Sequence, residues 1–211
     1  MRVRAFRMIG AGLLIAAATA SLASCKKAET PATTAQAGPT VDMPGCDVAR
    51  AYVAGRLGRF ADKSIVVVDA AAPAVAIVTG LKPADLTRKY NIGEENPAGW
   101  PKDAPSAAMI TAWQAAAQIS PFASCVDFGK AVETAGAALG KVAPGEKPAK
   151  DKPDRTQMNF TVPVVSADGN EAMLLETGRT GGGSQVSIAV HLRKDKAGAW
   201  AETDSLVVAM N

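Results

Sequence analysis

Four kinds of side chain have the type or spacing for chemistry: one histidine, three cysteines, close carboxylate pairs and a glycine run. His191 lies in "QVSIAVHLRK". Strand alternation puts Val186, Ile188, Val190 and Leu192 on one face, with Ser187, Ala189, His191 and Arg193 on the other. With one face covered, the first four are expected to be buried and His191 exposed. That placement leaves it without a nucleophile held beside it in a dry site, as a Ser-His-Asp arrangement needs. A lone histidine also rules out a zinc site built on paired imidazoles. Glu94 with Glu95, and Glu202 with Asp204, are spacings too common to specify glycosidase chemistry. "TGGGS" can form a nest of backbone amides for an anion. It lacks the helix start and lysine of a phosphate loop and reads as a flexible hairpin. No catalytic residue, metal site or cofactor is assigned.

The cysteines carry more information. Arg2, Arg4 and Arg7 precede an apolar stretch from Met8 to about Leu22, which is shorter than the roughly twenty residues of a spanning helix. Its size and flanks are those of a secretory signal peptide. Leu22-Ala23-Ser24-Cys25 resembles the lipobox of bacterial lipoproteins. The resemblance implies cleavage after residue 24 and three acyl chains on Cys25, enough for a firm membrane anchor. Lys26 follows, where an aspartate would imply retention in the inner membrane, so the outer membrane, facing the periplasm, is the expected location. Two cysteines remain. The compartment beyond the inner membrane is oxidising, and Cys46 with Cys125 is the expected disulfide, closing a loop of about 80 residues.

Removal of residues 1–24 also changes the charge balance. The chain has 23 basic and 20 acidic side chains, a net of +3. Three arginines leave with the signal, so 20 of each sign remain. A neutral chain with few aromatics has no electrostatic footprint for nucleic acid.

Residues 25–44 are rich in Ala, Thr, Pro and Gln and poor in large apolar side chains, the composition of a disordered tether. About 165 residues remain, enough for one domain with a sizeable core. Residues 45–140 read as a mainly helical half. Cys46, Val53, Leu57 and Phe60 share one face of a first helix. "SIVVVD" and "VAIVTG" read as paired strands, or as a strand and a packed extension. "KPADLTRKY" reads as a brief helix. The Pro- and Gly-rich loop 91–105 makes Glu94, Glu95 and Trp100 the candidate binding loop, but the favoured reading leaves the carboxylates solvated and folds Trp100 back as an apolar plug. A helix from Ser106 carries the stripe Met109, Ile110, Trp113 and Ala117. A second helix is expected from Ser124, with Asp127 in capping-box position, a buried face of Cys125, Phe128, Val132 and Ala135, and Gly140 at its end.

Residues 141–157 mix lysines, acids and prolines and read as an exposed linker. Residues 158–211 hold four β runs joined by short turns, the pattern of a four-stranded antiparallel meander. The fold class expected is α+β, with helices packed on one face of that meander. Pro-Val-Val-Ser-x-Asp-Gly, the Gly-rich loop and the final Gly-x-Trp resemble uncharacterised bacterial envelope proteins and lipoproteins. This resemblance covers about fifty residues, mostly turn chemistry, and implies no activity. The expected function is that of a noncatalytic, lipid-anchored envelope protein that binds another envelope component, most simply a protein. A small-ligand module with a pocket between meander and helices is the alternative, and an enzyme using a loop carboxylate the weaker one.

Overall fold

Strands from both ends of the sequence meet in one mixed sheet. The computed structural model describes residues 39–60, 65–73, 75–87, 99–142, 155–180 and 184–210, all within one unit, Ala37–Asn211. The helices are α1 (Cys46–Gly58), α2 (Val75–Thr79), α3 (Pro83–Thr87), α4 (Ala107–Ala115), α5 (Pro121–Ser124) and α6 (Phe128–Thr134). The strands are β1 (Ile65–Val68), β2 (Ala138–Leu139), β3 (Arg155–Phe160), β4 (Val164–Val165), β5 (Glu171–Thr180), β6 (Gln185–Lys194) and β7 (Trp200–Met210).

Helix α1 starts at Gly45, whose φ of 93° is left-handed. A Cβ there would stand 2.1 Å from the Pro163 carbonyl oxygen, so both conformation and space require glycine. Asp47 in the first turn and Arg56 in the last complement the helix dipole. The Ser106 hydroxyl caps α4 by accepting from the Met109 amide at 3.1 Å. Three local expectations are corrected. "VAIVTG" contains α2 rather than a second strand, because a short apolar run cannot separate strand from buried helix by periodicity. The helix expected from Ser124 is two pieces: Ser124 ends α5, and Asp127 caps α6 in a left-handed conformation without a side-chain cap bond. Gly140 follows β2 instead of ending a helix.

The sheet order is β2-β1-β3-β5-β6-β7, with β4 paired to β5. Strand β1 is parallel to both β2 and β3, while β3-β5, β5-β6 and β6-β7 are antiparallel. The fold is therefore α+β on a mixed sheet that takes β1 and β2 from the segment expected to be mainly helical. The 141–157 stretch is not wholly an exposed linker. Val142 is buried, its amide donates to Gln157 Oε1 at 2.9 Å, and Arg155–Gln157 already belong to β3.

The expectation of a single covered face fails. On β5, Ala172 and Leu174 join one apolar cluster and Met173 and Leu175 another, so consecutive residues point into different cores. The first cluster contains Val48, Tyr52, Val53 and Leu57 of α1, Phe128 and Val132 of α6, and Val190 and Leu192 of β6. The second contains Val78 of α2, Leu86 of α3, Met109, Ile110 and Trp113 of α4, and Trp100 and Ala189. Helices thus cover both faces, and the four consecutive apolar residues Ala172–Leu175 are what a two-sided strand requires.

Candidate functional site

The second cover determines where the histidine goes. His191 is fully buried, at 0% exposure, opposite the face carrying Val190 and Leu192. Its predicted exposure is overturned because the segment from Trp100 to Ser106 lies across that face. Nδ1 lies 2.9 Å from the Asp103 carbonyl oxygen, which can only accept, and this fixes a proton on Nδ1. Nε2 lies 3.0 Å from Glu171 Oε1. The Thr203 hydroxyl is 3.2 Å from Nδ1, and the Trp100 ring meets the imidazole edge-on at 6.0 Å. Glu171 also accepts from the Ser106 amide at 2.9 Å and from the Ser106 hydroxyl at 2.8 Å. Burial alone would push its carboxyl up. The two Ser106 bonds, helped by the His191 and Arg193 charges, outweigh burial and hold it below the ordinary carboxylate value.

Serine, carboxylate and histidine are therefore together, but in an order unlike a nucleophilic triad. The carboxylate stands between the other two, and the Ser106 hydroxyl is occupied as donor to Glu171 and acceptor from Met109. Asp204 completes the clamp, accepting from the Lys102 and Asp103 amides at 2.6 and 2.8 Å. Arg193 spans Asp103 and Glu171 at 3.1 and 3.7 Å. The bonds of Glu171 to Ser106, of Asp204 to Lys102 and Asp103, and of His191 and Arg193 to Asp103 fasten the 100–106 segment to the sheet.

A second polar cluster lies on the opposite face, and sequence reasoning missed it. Glu176 shares the face of Ala172 and Leu174 and is 1% exposed. Arg56 of α1 donates through Nη2 to Glu176 Oε1 at 2.7 Å and through Nε to Oε2 at 2.9 Å. The Tyr52 hydroxyl donates to Oε2 at 2.5 Å. Burial first, then the Glu176 charge, pushes the Tyr52 phenol far above its ordinary value, so it acts as a donor. Burial would lower the Arg56 value, but its bonds to Glu176 and the carboxylate charge raise it, and the guanidinium stays cationic. The Arg56 guanidinium also lies 5.1 Å from the Phe60 ring centroid.

Beside this cluster, past the end of α1, a cavity of about 280 Å³ opens. Phe60, Met158, Gly178, Val186 and Ile188 form much of its apolar wall, with Arg56 and Glu176 at one side. Val186 and Ile188 are accordingly half-buried, not fully buried as the alternation implied.

The remaining sequence candidates separate. Cys46 and Cys125 are bonded, with sulfurs 2.05 Å and α-carbons 5.3 Å apart. Trp100 is a plug: it is 1% exposed and its Nε1 donates to the Leu86 carbonyl at 2.7 Å. Glu94 and Glu95, Cys25, the expected lipidation site, and Gly181–Gly183 of the glycine run lie outside the described residues. Glu202 pairs with Arg59 at 2.7 Å, apart from the inward-facing Asp204. No group of three or more His, Cys, Asp or Glu side chains suited to a metal occurs among the described residues, and no described helix is long and apolar enough to cross a membrane. Comparison with protein-family models, curated proteins and solved structures finds no match to this chain.

Proposed function

We propose that the chain is a noncatalytic, lipid-anchored protein of the bacterial envelope, held at the outer membrane through Cys25 and binding another envelope component. The observation that carries this reading is the Cys46–Cys125 bond. A structural disulfide belongs to an oxidising compartment, and this one uses both cysteines other than the one that ends the lipobox. The noncatalytic part no longer rests on an exposed His191. It rests on how the buried network is spent, since Ser106, Glu171 and His191 all hold the 100–106 segment in place. Cys25→Ser tests the anchor. The wild-type chain should fractionate with membranes and take up a labelled fatty acid, whereas the variant should remain uncleaved and unlabelled. Fatty-acid labelling of the variant, or firm attachment of its cleaved form, would sink the proposal.

A second reading, a small-ligand module, is favoured by one observation. The 280 Å³ cavity lies between the end of α1 and the sheet, and it is largely apolar with a few polar groups at one side. Its test is whether small molecules produce saturable changes at the lining residues.

A further inference from the structure

We infer that the outer edge of β7 is an interface with a second copy of this chain, whose own β7 adds antiparallel across a two-fold axis at Leu206. The inference goes beyond the proposed function and does not depend on the lipid anchor. Among the described residues β7 pairs in the sheet with β6 alone, so its other side is an edge. The strand is eleven residues long. From Ser205 to Met210 it carries no charged residue and no proline, two of the devices that keep an edge from pairing. Val207 and Met210 are also large apolar side chains left exposed, at 54% and 72%.

The order of faces along the strand singles out a second copy. Glu202, Ser205, Val207 and Met210 stand opposite Leu192, Val190, Ile188 and Val186, on the α1 side of the sheet. Leu206 stands opposite Ala189 on the other side, where Leu206 and Val208 pack on the second cluster. The ladder with β6 slips at two places, which makes Thr203 and Val208 extra residues. Thr203, with its hydroxyl 3.2 Å from His191 Nδ1, joins Asp204 on the second face. Val208 joins Ala209, which stands opposite Ser187 on that face. The two bulges therefore lie symmetrically about Leu206. From Leu206 toward either end the faces run alike: one residue on the α1 side, two on the other, one on the α1 side. A regular strand laid along this edge would lose alternation at the first bulge, since a one-residue slip turns each following side chain to the wrong face. A second β7 running the opposite way, with Leu206 against Leu206, keeps it throughout. Ser205 then faces Val207, Asp204 faces Val208, Thr203 faces Ala209 and Glu202 faces Met210, each pair on one face. Charge selects the same direction. Parallel copies in register would set Glu202 and Asp204 against their own equivalents, which is destabilising, whereas the antiparallel pairing gives each carboxylate an uncharged neighbour. It also makes the two Val207 side chains diagonal neighbours, and the isologous contact closes at two copies.

Residues 202–210 of each copy make a smaller contact than the roughly 20–30 residues a side of a standard interface. The dimer is accordingly weak, and trapping it in the cell is the suitable test. Differently tagged full-length chains carrying Ser205→Cys or Val207→Cys are produced together, and the cells are treated with a thiol oxidant. Antiparallel partners have α-carbons about 4.5–5.5 Å apart, within the range a disulfide spans. Ser205 is half-buried and Val207 exposed, so neither change disturbs the core. The mixture should give a disulfide-linked dimer of the two tagged chains, several-fold more than either variant gives alone. Val41→Cys, at a residue 77% exposed and off the strand, should give none, and neither should the wild type. No dimer in the mixture would overturn the inference. Equal yields from the single variants or from Val41→Cys would mean random collision and overturn it as well. A linked product whose mass is not twice that of the chain would show another protein on the edge and overturn the second copy as its occupant.

Discussion

Arg56→Met should be among the most damaging single changes on α1, although it keeps most of the side-chain stem. The wild-type pair has side-chain exposures of 18% for Arg56 and 2% for Glu176. Losing the guanidinium removes its bonds to both carboxylate oxygens and leaves Glu176 with the Tyr52 hydroxyl as its one remaining donor among the described residues. Breaking a buried pair from one side costs roughly 3–5 kcal/mol, because the remaining charge is uncompensated. Loss of the Phe60 contact adds about 0.5–1 kcal/mol. For a domain of this size each kcal/mol moves Tm by about 2–4 °C, so the expected fall is on the order of 10 °C. The double variant Arg56→Met with Glu176→Leu should recover most of the loss, since a buried ion pair is often matched by packed apolar residues. Urea unfolding at neutral pH with the disulfide intact gives all three stabilities. A single-variant loss below about 1 kcal/mol would refute the argument, as would a double variant no more stable than the single.

Gly45→Ala should destabilise by several kcal/mol, on the order of 2–4, since it adds a Cβ 2.1 Å from the Pro163 oxygen at a φ of 93°; a melting scan reads this directly. Reducing the Cys46–Cys125 bond, whose partners are 79 residues apart, should cost about 4–5 kcal/mol by loop-closure entropy, measured as the difference between urea midpoints with and without reductant. His191→Ala should cost roughly 2–4 kcal/mol by stripping bonds from Asp103 and Glu171 in a buried site, and increased amide exchange over 100–106 would show that the segment has loosened. Acid should weaken the wild type through Glu171. A carboxyl held below its ordinary value of 4.5 contributes stability above that pH and loses it as pH falls through the folded value. The slope of Tm against pH below 4.5 should therefore be shallower in Glu171→Gln.

The disulfide could be read from the sequence because cysteine chemistry and compartment limit the choices. The start of α4 near Ser106 was readable because its signals are local, whereas the cap expected at Ser124 was not found. His191 shows where local reading stops. The two-residue period sorted β6 correctly, with Val190 and Leu192 on one side and His191 on the other, but a period does not say how many faces are covered. The sign of a second cover was present in Ala172–Leu175 and in the Met109-Ile110-Trp113 stripe, which needed a sheet face of its own. Glu176 was also within reach of the same logic, since alternation places it beside Leu174 on a core face, where a carboxylate demands a partner. Its partner Arg56 is 120 residues away, and no local pattern names it. The parallel pairing of β1 with β3 is hidden for the same reason, as Ile65 meets Arg155 across 90 residues of chain.

The point where the chain enters the folded unit has a mechanical consequence. The Asp42 carboxylate accepts from the Val126 amide and from Arg50, the Met43 amide donates to the Ser124 carbonyl, and Cys46 is bonded to Cys125. Tension arriving from the amino-terminal side is divided at residues 42–46 between α1 and the α5–α6 corner, instead of peeling α1 from its end. The hydrogen bonds at Asp42 and Met43 are the first to yield. Beyond them the load meets a covalent link, and the α1 backbone is pulled only as far as the corner it is bonded to moves. A pulling experiment in oxidising buffer should thus release only a few residues before the whole sheet must give, whereas reductant would let α1 unravel first.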